Sequence, residues 1–332
     1  MDGNKSQHFD IDQIICSLEK AEQSVITVFG DYSLDKYVYS KPSRDEQSVE
    51  TGLTAYQIHE TVSYAGIGGT VANNLRSLGA QVICVGLLGH DGHGFELLER
   101  LRQIGAETEL MIQSDRLLTN TYLKPMRGET KESALEAGRL DFRNFKETPP
   151  ELEEQLLINL EKAAARSQGV IITDQFLERN CSAVTDRVRN EVAGLALKNP
   201  DKFFYADSRG FIGEYRNVIR KCNEHELSGT DLTGLRIVTM GERGIMLYDG
   251  DEKTHIPSFP AKPPLDICGA GDATNAGIML GLTLGLDKKE AALLGACTAS
   301  VTIEQIGVTG TATREQIIAR MYEKKHFFSV NL

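Results

Sequence analysis

No Gly-x-x-x-x-Gly-Lys-Ser/Thr occurs in this chain, and no Gly-x-Gly-x-x-Gly follows its first apolar run. The first absence excludes a P-loop, and the second disfavours hydride transfer on a dinucleotide. There is no block of Lys and Arg, and the formal net charge is −11. A phosphate backbone demands clustered positive charge, so nucleic acid is not an expected partner. The six cysteines (Cys16, Cys84, Cys181, Cys222, Cys268, Cys297) include no Cys-x-x-Cys pair and no histidine partner at zinc-ligand spacing. Free thiols in a reducing compartment are the simplest reading. The first residues carry no basic segment followed by an apolar core, and no run reaches the roughly 18 apolar residues of a membrane span. A cytoplasmic protein without a membrane partner is expected.

What is present is an ordinary globular composition: 332 residues, 41% hydrophobic and 25% charged. That suits one large α/β domain, with room for a small appendage. The densest chemical signal runs from Leu265 to Gly277, where Asp266-Ile267-Cys268-Gly269-Ala270-Gly271-Asp272 leads into an apolar, small-residue helix. Glycine at 269 and 271 removes the Cβ atoms that would hold an anion away from the main chain, and the positive end of the helix dipole points at the same place. Asp272 in the first turn is expected to be held ionised by that dipole and to accept a proton from an attacking hydroxyl. Phosphoryl transfer to an alcohol is the chemistry this suggests. A plain helix cap is the competing reading, because Asp is a good N-cap and glycine a common turn residue.

Along the chain, Ile11, Ile14, Ile15 and Leu18 have helical spacing, predicting an amphipathic leader helix near 9–23 within a segment 1–24. Val25–Phe29 reads as a buried first strand ending at Gly30-Asp31. Ligands of open α/β sheets bind beyond the carboxyl ends of strands, so Asp31 and Asp35 are candidate substrate contacts, although Asp31 could equally cap a turn. From Tyr37 to Tyr64 the pattern becomes alternating and polar. With Asn120–Lys124 it predicts a small sheet of antiparallel strands, formed by segments of about 36–64 and 117–126, acting as a lid that excludes water or as a dimer contact. Gly66-Ile67-Gly68-Gly69 opens a helix through Leu78-Gly79. Strands are expected at 81–86, 170–173, 203–206, 217–221, 236–239 and 245–248, and helices near 94–104, 151–166 and 181–197. Such alternation predicts helices on both faces of a mostly parallel sheet. His90-Asp91-Gly92-His93 reads as a polar loop.

Taken together these residues resemble the ribokinase-like, or PfkB, carbohydrate kinases over about 25–315, and among them the kinase domain acting on heptose 7-phosphate. The matching segments are Gly30-Asp31-Tyr32-Ser33-Leu34-Asp35-Lys36-Tyr37, Pro42-Ser43-Arg44, Arg139-Leu140-Asp141-Phe142, Asp207-Ser208-Arg209-Gly210, Asn223-Glu224-His225-Glu226, Thr239-Met240-Gly241-Glu242-Arg243-Gly244 and Asp266 through Asp272. The resemblance implies a three-layer α/β/α fold with a β-sheet lid, one kinase domain over 25–325, and ATP with Mg2+ as cofactors. It casts Asp272 as the base, with the amides of Gly269, Ala270 and Gly271 holding the transferring phosphate. Asn223 and Glu226 would order Mg2+ and its waters, while Thr239, Gly241 and Gly244 would line the nucleotide. Asp35, with Asp31, Gly66, Gly68, Gly69, Thr70 and Arg139, would face the acceptor. Asp266 would help hold a monovalent cation such as K+. A sugar or sugar phosphate is the implied small-molecule partner, and a homodimer through the lid strands the implied assembly.

Two departures bear on the acceptor. Thr70 stands where the family has an acceptor-binding Asn, and Leu177 where the heptose-phosphate kinases have a Lys. Arg44, Arg139 and Arg209 remain as cations for a sugar phosphate. Ketoses, keto-deoxy sugar acids and nucleosides stay open as acceptors, as does a non-catalytic regulatory role. The heptose kinase often occurs fused to a nucleotidyltransferase, for which 332 residues leave no room, so phosphorylation alone is expected.

Overall fold

The computed structural model describes residues 9–226, 234–307 and 309–330; residues 1–8 of the expected leader segment lie outside them. The first helix, α1 (Ile11–Leu18), is capped by Asp10 and buries Ile11, Ile14, Ile15 and Leu18. Those side chains belong to the main hydrophobic core and not to a separate leader unit. The helix stops short of the expected 9–23 span, and Ala21–Gln23 forms a single 3-10 turn.

In chain order there follow β1 (Val25–Gly30), β2 (Tyr32–Ser40), β3 (Glu46–Gln47), β4 (Thr54–Ala55), β5 (Ile58–Ile67) and α2 (Gly68–Ser77). Next come β6 (Gln81–Gly89), α3 (Gly92–Gln103), β7 (Ile112–Ser114), β8 (Thr121–Arg127), β9 (Leu135–Glu136) and β10 (Leu140–Phe142). The chain continues with α4 (Pro150–Arg166), β11 (Gly169–Asp174), α5 (Asp186–Lys198), β12 (Phe203–Ser208), β13 (Ile219–Asn223) and β14 (Arg236–Thr239). It closes with β15 (Ile245–Asp249), β16 (Glu252–Ile256), α6 (Ala270–Thr283), α7 (Lys288–Thr302) and α8 (Arg314–Val330).

Nine strands form the main sheet in the order β16-β15-β14-β13-β12-β11-β1-β6-β7. Pairing is parallel from β7 through β14, and β15 alone is reversed, pairing antiparallel with both β14 and β16. β1 and β11 are buried at nearly every position, as continuous apolar runs in a sheet covered on both faces must be. Two core clusters lie on the two faces, completing three layers. The parallel register brings the carboxyl ends of β1, β11, β12 and β13 to one edge. It sets Asp207 beside Lys221 and Asn223 beside Thr239.

The lid is a second sheet, in the order β10-β8-β2-β5 with β9 on β8. The chain leaves β1 for it at Gly30, whose φ of +124° brings the site of a side chain within 2.3 Å of the Thr173 carbonyl oxygen; only glycine fits there. The antiparallel expectation holds for β2–β5 and fails for β2–β8, which pair in parallel from Leu34–Thr121 to Ser40–Arg127. A hairpin would have forced antiparallel pairing, but β2 and β8 belong to distant stretches of chain that enter the lid in the same direction.

Two further boundaries differ from the sequence reading. His90–His93 is not wholly loop: Asp91 caps α3, accepting from Gly94 N–H at 2.7 Å. The helix expected from 181 begins only at Asp186, with Thr185 as its cap, because residues 175–183 are held elsewhere by Asp31.

Candidate active site

α6 is built to bring a bare helix start to the sheet edge. Every residue from Ala273 to Leu282 is buried, so the helix is covered on all sides and packs as a core element. A side chain at Gly277 would meet the Gly295 backbone of α7 at 2.8 Å, so the two helices approach more closely than larger residues would permit. Gly269 precedes the helix in the left-handed conformation (φ 78°, ψ 1°), and no side chain caps the helix. A Cβ at Gly269 would lie 2.6 Å from the Thr309 methyl, so the turn is closed to other residues.

The amides here differ from expectation in one respect. Ala270 N–H already donates to the Ile267 carbonyl at 3.2 Å. The N–H groups of Gly269, Gly271 and Asp272 have no protein acceptor among the described residues. The anion cradle is therefore these three, converging at a dipole's positive end. Asp266 clasps the loop: its carboxylate accepts from Cys268 N–H at 3.0 Å and from Gly307 N–H at 3.1 Å.

The Asp272 carboxylate makes no hydrogen bond to any described residue. Burial pushes its pKa up to about 7, the Asp207 carboxylate adds to the push, and the Lys221 ammonium opposes it. This overturns the sequence expectation of a carboxylate kept ionised by the dipole, because desolvation outweighs a first-turn dipole effect. The result is a carboxyl poised to exchange its proton near neutrality.

Lys221 was invisible to motif reading. It lies two residues before Asn223 on β13, and its ammonium contacts the Asp207 carboxylate at 2.9 Å. Asn275 donates to the same Asp207 oxygen at 2.6 Å, and Tyr205 hydroxyl donates to Asn275 at 2.9 Å. All four side chains are buried. Burial presses the Lys221 ammonium toward neutrality, but Asp207 outweighs it and holds the pKa above the ordinary lysine value. The ammonium sits 3.2 Å from where a Cβ on Gly271 would project, so Gly271 is what admits a cation to the cradle. The available signal was a lone Lys in an otherwise buried parallel strand, a position where charge is rare unless paired.

At the carboxyl end of β13, Asn223 and Glu226 close a reciprocal turn. Asn223 Oδ1 accepts from the His225 and Glu226 N–H groups at 2.9 and 3.0 Å, and Glu226 accepts from Asn223 N–H at 2.8 Å. The other Glu226 oxygen has no hydrogen-bond partner among the described residues. Burial raises this carboxyl's pKa, while Lys221 and Arg209 draw it back. Thr239 hydroxyl donates to Cys222 O at 3.4 Å. Gly241 and Gly244, both at positive φ, bracket the tight turn between β14 and β15. Arg209 is exposed and has no ion-pair partner among the described residues, yet it is near enough to Asp272 and Glu226 to lower the pKa of both.

From the lid, Asp35 reaches the same site and raises the Asp272 pKa. Burial raises its own, against the pull of Lys124 at 3.6 Å and of Arg139. A side chain at Gly66 would lie 2.6 Å from the Asp35 carboxylate, so that glycine makes room for it. Arg139 stacks over Tyr122 and grips Asp141 through two hydrogen bonds of 2.7 and 2.8 Å. Arg44 is exposed on the 3-10 turn at Pro42–Arg44.

Four expected acceptor contacts are placed otherwise. Asp31 is 2% exposed. Its oxygens take the N–H groups of Gln175 (2.8 Å), Phe176 (3.3 Å) and Ala183 (3.2 Å), so it anchors the 175–183 loop. Burial and the neighbouring Asp174 carboxylate push its pKa up to about 7. Thr70 is buried, with its hydroxyl on Ala65 O at 3.3 Å and its methyl facing Gly269. At Gly68 and Gly69, side chains would strike Asp31 O at 2.8 Å and the Ala65 Cβ at 2.4 Å. These two serve close packing of α2.

A nine-stranded α/β/α core, a small second sheet and a buried carboxyl at a bare helix start are the features of a ribokinase-type phosphotransferase. Solved structures with this fold include Arabidopsis thaliana ribokinase complexed with ribose and ATP, with a TM-score of 0.64 and 19% identity over 90% of this chain and 98% of that one. The microbiome-derived acarbose kinase Mak1 superposes with a TM-score of 0.67 and 15% identity over 90% of this chain and 99% of that one. The pfkB family carbohydrate kinase model matches residues 28–230 and 217–314, and the chain belongs to that family. Among curated relatives, the bifunctional protein HldE of a Nitratiruptor species is 28% identical over 313 residues, 88% of this chain. That of a Bradyrhizobium species is 26% identical over 339 residues, 95% of this chain. The chain spans 64% and 67% of the lengths of these two relatives. Among the described residues no helix is long and apolar enough to cross a membrane.

Proposed function

We propose that this carbohydrate kinase transfers the terminal phosphoryl group of ATP to a hydroxyl of a sugar phosphate, with heptose 7-phosphate as the first acceptor to try. The observation that carries the transfer chemistry is the unbonded Asp272 carboxylate beside three free N–H groups and the Lys221 ammonium. Asp272 takes the acceptor proton, Asp35 orients the acceptor hydroxyls, and the three amides with Lys221 meet the charge that develops on the phosphoryl oxygens. ATP with Mg2+ supplies the phosphoryl group and the divalent charge; Glu226 through water, with Asn223, Thr239, Gly241 and Gly244 around the nucleotide, is the set that would hold them. Asp266 and its loop are the candidate monovalent-cation site, which K+ dependence of turnover would test.

The preference for a phosphorylated acceptor rests on the unpartnered Arg209 and on Arg139 and Lys124 near Asp35, together with the similarity to HldE proteins. Acceptors without a phosphate form the second reading, favoured by Leu177, an exposed apolar residue where the heptose-phosphate kinases have a Lys. Competition kinetics separate the two. If Arg209→Ala raises KM for a sugar phosphate about tenfold or more while leaving KM for ATP within twofold, the first stands; equal use of phosphorylated and neutral acceptors supports the second.

A further inference from the structure

At the opposite end of the sheet, the starts of β12, β13 and β14 enclose a cavity of about 400 Å3 lined by Phe204, Lys202, Arg216, Arg220 and Gly234, among others. Among the described residues no Asp or Glu lines it, in a chain whose formal net charge is −11. Arg220 is 6% exposed, yet its side chain forms no hydrogen bond or ion pair among the described residues. Arg216, at the exposed rim, is fixed through one nitrogen to the carbonyls of Gly213 (2.6 Å) and Tyr215 (2.9 Å), leaving the rest of its fork open. Arg236 lies with its guanidinium 4.5 Å over the Tyr248 ring, and its buried Nε has no partner. Burial, followed by the nearby Arg216 and Arg236, lowers the pKa of Arg220. A buried, unpaired guanidinium among other cations is costly unless an anion completes it.

We propose that this cavity binds a phosphate-bearing anion, held by Arg220 from within and Arg216 at the rim. Phosphate is favoured because two planar forks, Arg216 and Arg220, line the same cavity, and the guanidinium fork matches its oxygens two at a time. The cavity is in the size range of small-molecule sites, about 300–1,000 Å3, so the body of a phosphorylated metabolite has room beside its charged group. The site is separate from the phosphoryl-transfer centre. Arg220 is three residues from Asn223 along β13, roughly 10 Å of strand. Arg220 and Lys221 are adjacent on the strand, so their side chains leave it on opposite faces.

The test is calorimetric titration of the full chain with inorganic pyrophosphate, without nucleotide or Mg2+, in the wild type and in Arg220→Leu, Arg216→Ala and Lys221→Met. The expected result is binding weakened about tenfold or more in Arg220→Leu and Arg216→Ala and retained in Lys221→Met. Arg220→Leu is expected to melt at or above the wild-type temperature without anion and to keep kinase turnover within about twofold. Should Arg220→Leu not fold, the exposed Arg216→Ala decides alone. Binding that survives both arginine substitutions, or that disappears only in Lys221→Met, overturns the proposal.

Discussion

At residue scale the account turns on one carboxylate. Asp272 must lose its proton to act as base, and its pKa stands at about 7 in the folded chain. kcat/KM is therefore expected to fall below pH 7 with a single-proton acid limb, measured under saturating ATP; a flat profile from pH 5.5 to 8 would contradict it. Asp272→Asn should keep nucleotide binding and lose turnover by about 10²–10⁴-fold. The same shift has a stability consequence. The folded state holds this proton more tightly than the unfolded chain, so the contribution is intact at low pH and lost as pH rises through about 7. Asp272→Asn should accordingly gain on the wild type between pH 5 and pH 8, by on the order of a few kcal/mol in urea denaturation. Lys221→Met removes the cation that opposes the upward shift. It should cut kcat by about 10²–10³-fold and move the acid limb to higher pH. An unmoved limb would mean that Lys221 acts on the fold alone.

Element by element, the sequence was most readable where periodicity and motif agreed. The Gly269–Asp272 helix start, β1, and β14 from Arg236 to Thr239 stand where the pattern put them. It was least readable where a distant partner decides. The start of α5 moved from 181 to Asp186 because Asp31, some 150 residues earlier, claims the Ala183 amide. Asp31 therefore looked like a ligand contact in the sequence and is a loop anchor in space. Beyond being a lone Lys in a buried strand, Lys221 carries no local signal that ties it to the Gly269–Asp272 helix start, since its partners Asp207 and Asn275 come from other elements. Ile67, at the junction of β5 and α2, carries φ 55° and ψ −115°. A β-branched residue there stores strain at the passage from lid to core. Ile67→Gly should relieve on the order of 1–2 kcal/mol, offset by the loss of a half-buried side chain. Its stability in denaturant should match or exceed that of the wild type; a loss above about 2 kcal/mol would show the conformation to be unstrained.

For the whole molecule, the order of strands matters more than their number. Parallel order through β1, β11, β12 and β13 collects Asp207, Lys221 and Asn223 at one edge, and the lid brings Asp35 over them. The alternation of elements foretold this layering, and β16 is added by a local hairpin turning at Gly250-Asp251, whereas parallel pairing of β2 with β8 depends on long-range register. The lid strands expose Ile58, Leu135 and Leu140, and the separate β3–β4 ribbon exposes Val49 and Leu53, which motivates a homodimer through the lid strands. Light scattering should return twice the chain mass, and a monomer at micromolar concentration would remove that proposal.

The central claim is acceptor-dependent phosphoryl transfer at Asp272. Its most direct test is ATP consumption coupled to product mass, using wild type and Asp272→Asn with Mg2+ and a panel of heptose and sedoheptulose 7-phosphates, hexoses, pentoses, keto-deoxy sugar acids and nucleosides. The account predicts ADP release only with a sugar or sugar phosphate, a singly phosphorylated product, and near-complete loss in Asp272→Asn. Wild-type turnover in Asp272→Asn, or no product from any acceptor on the panel, would contradict it.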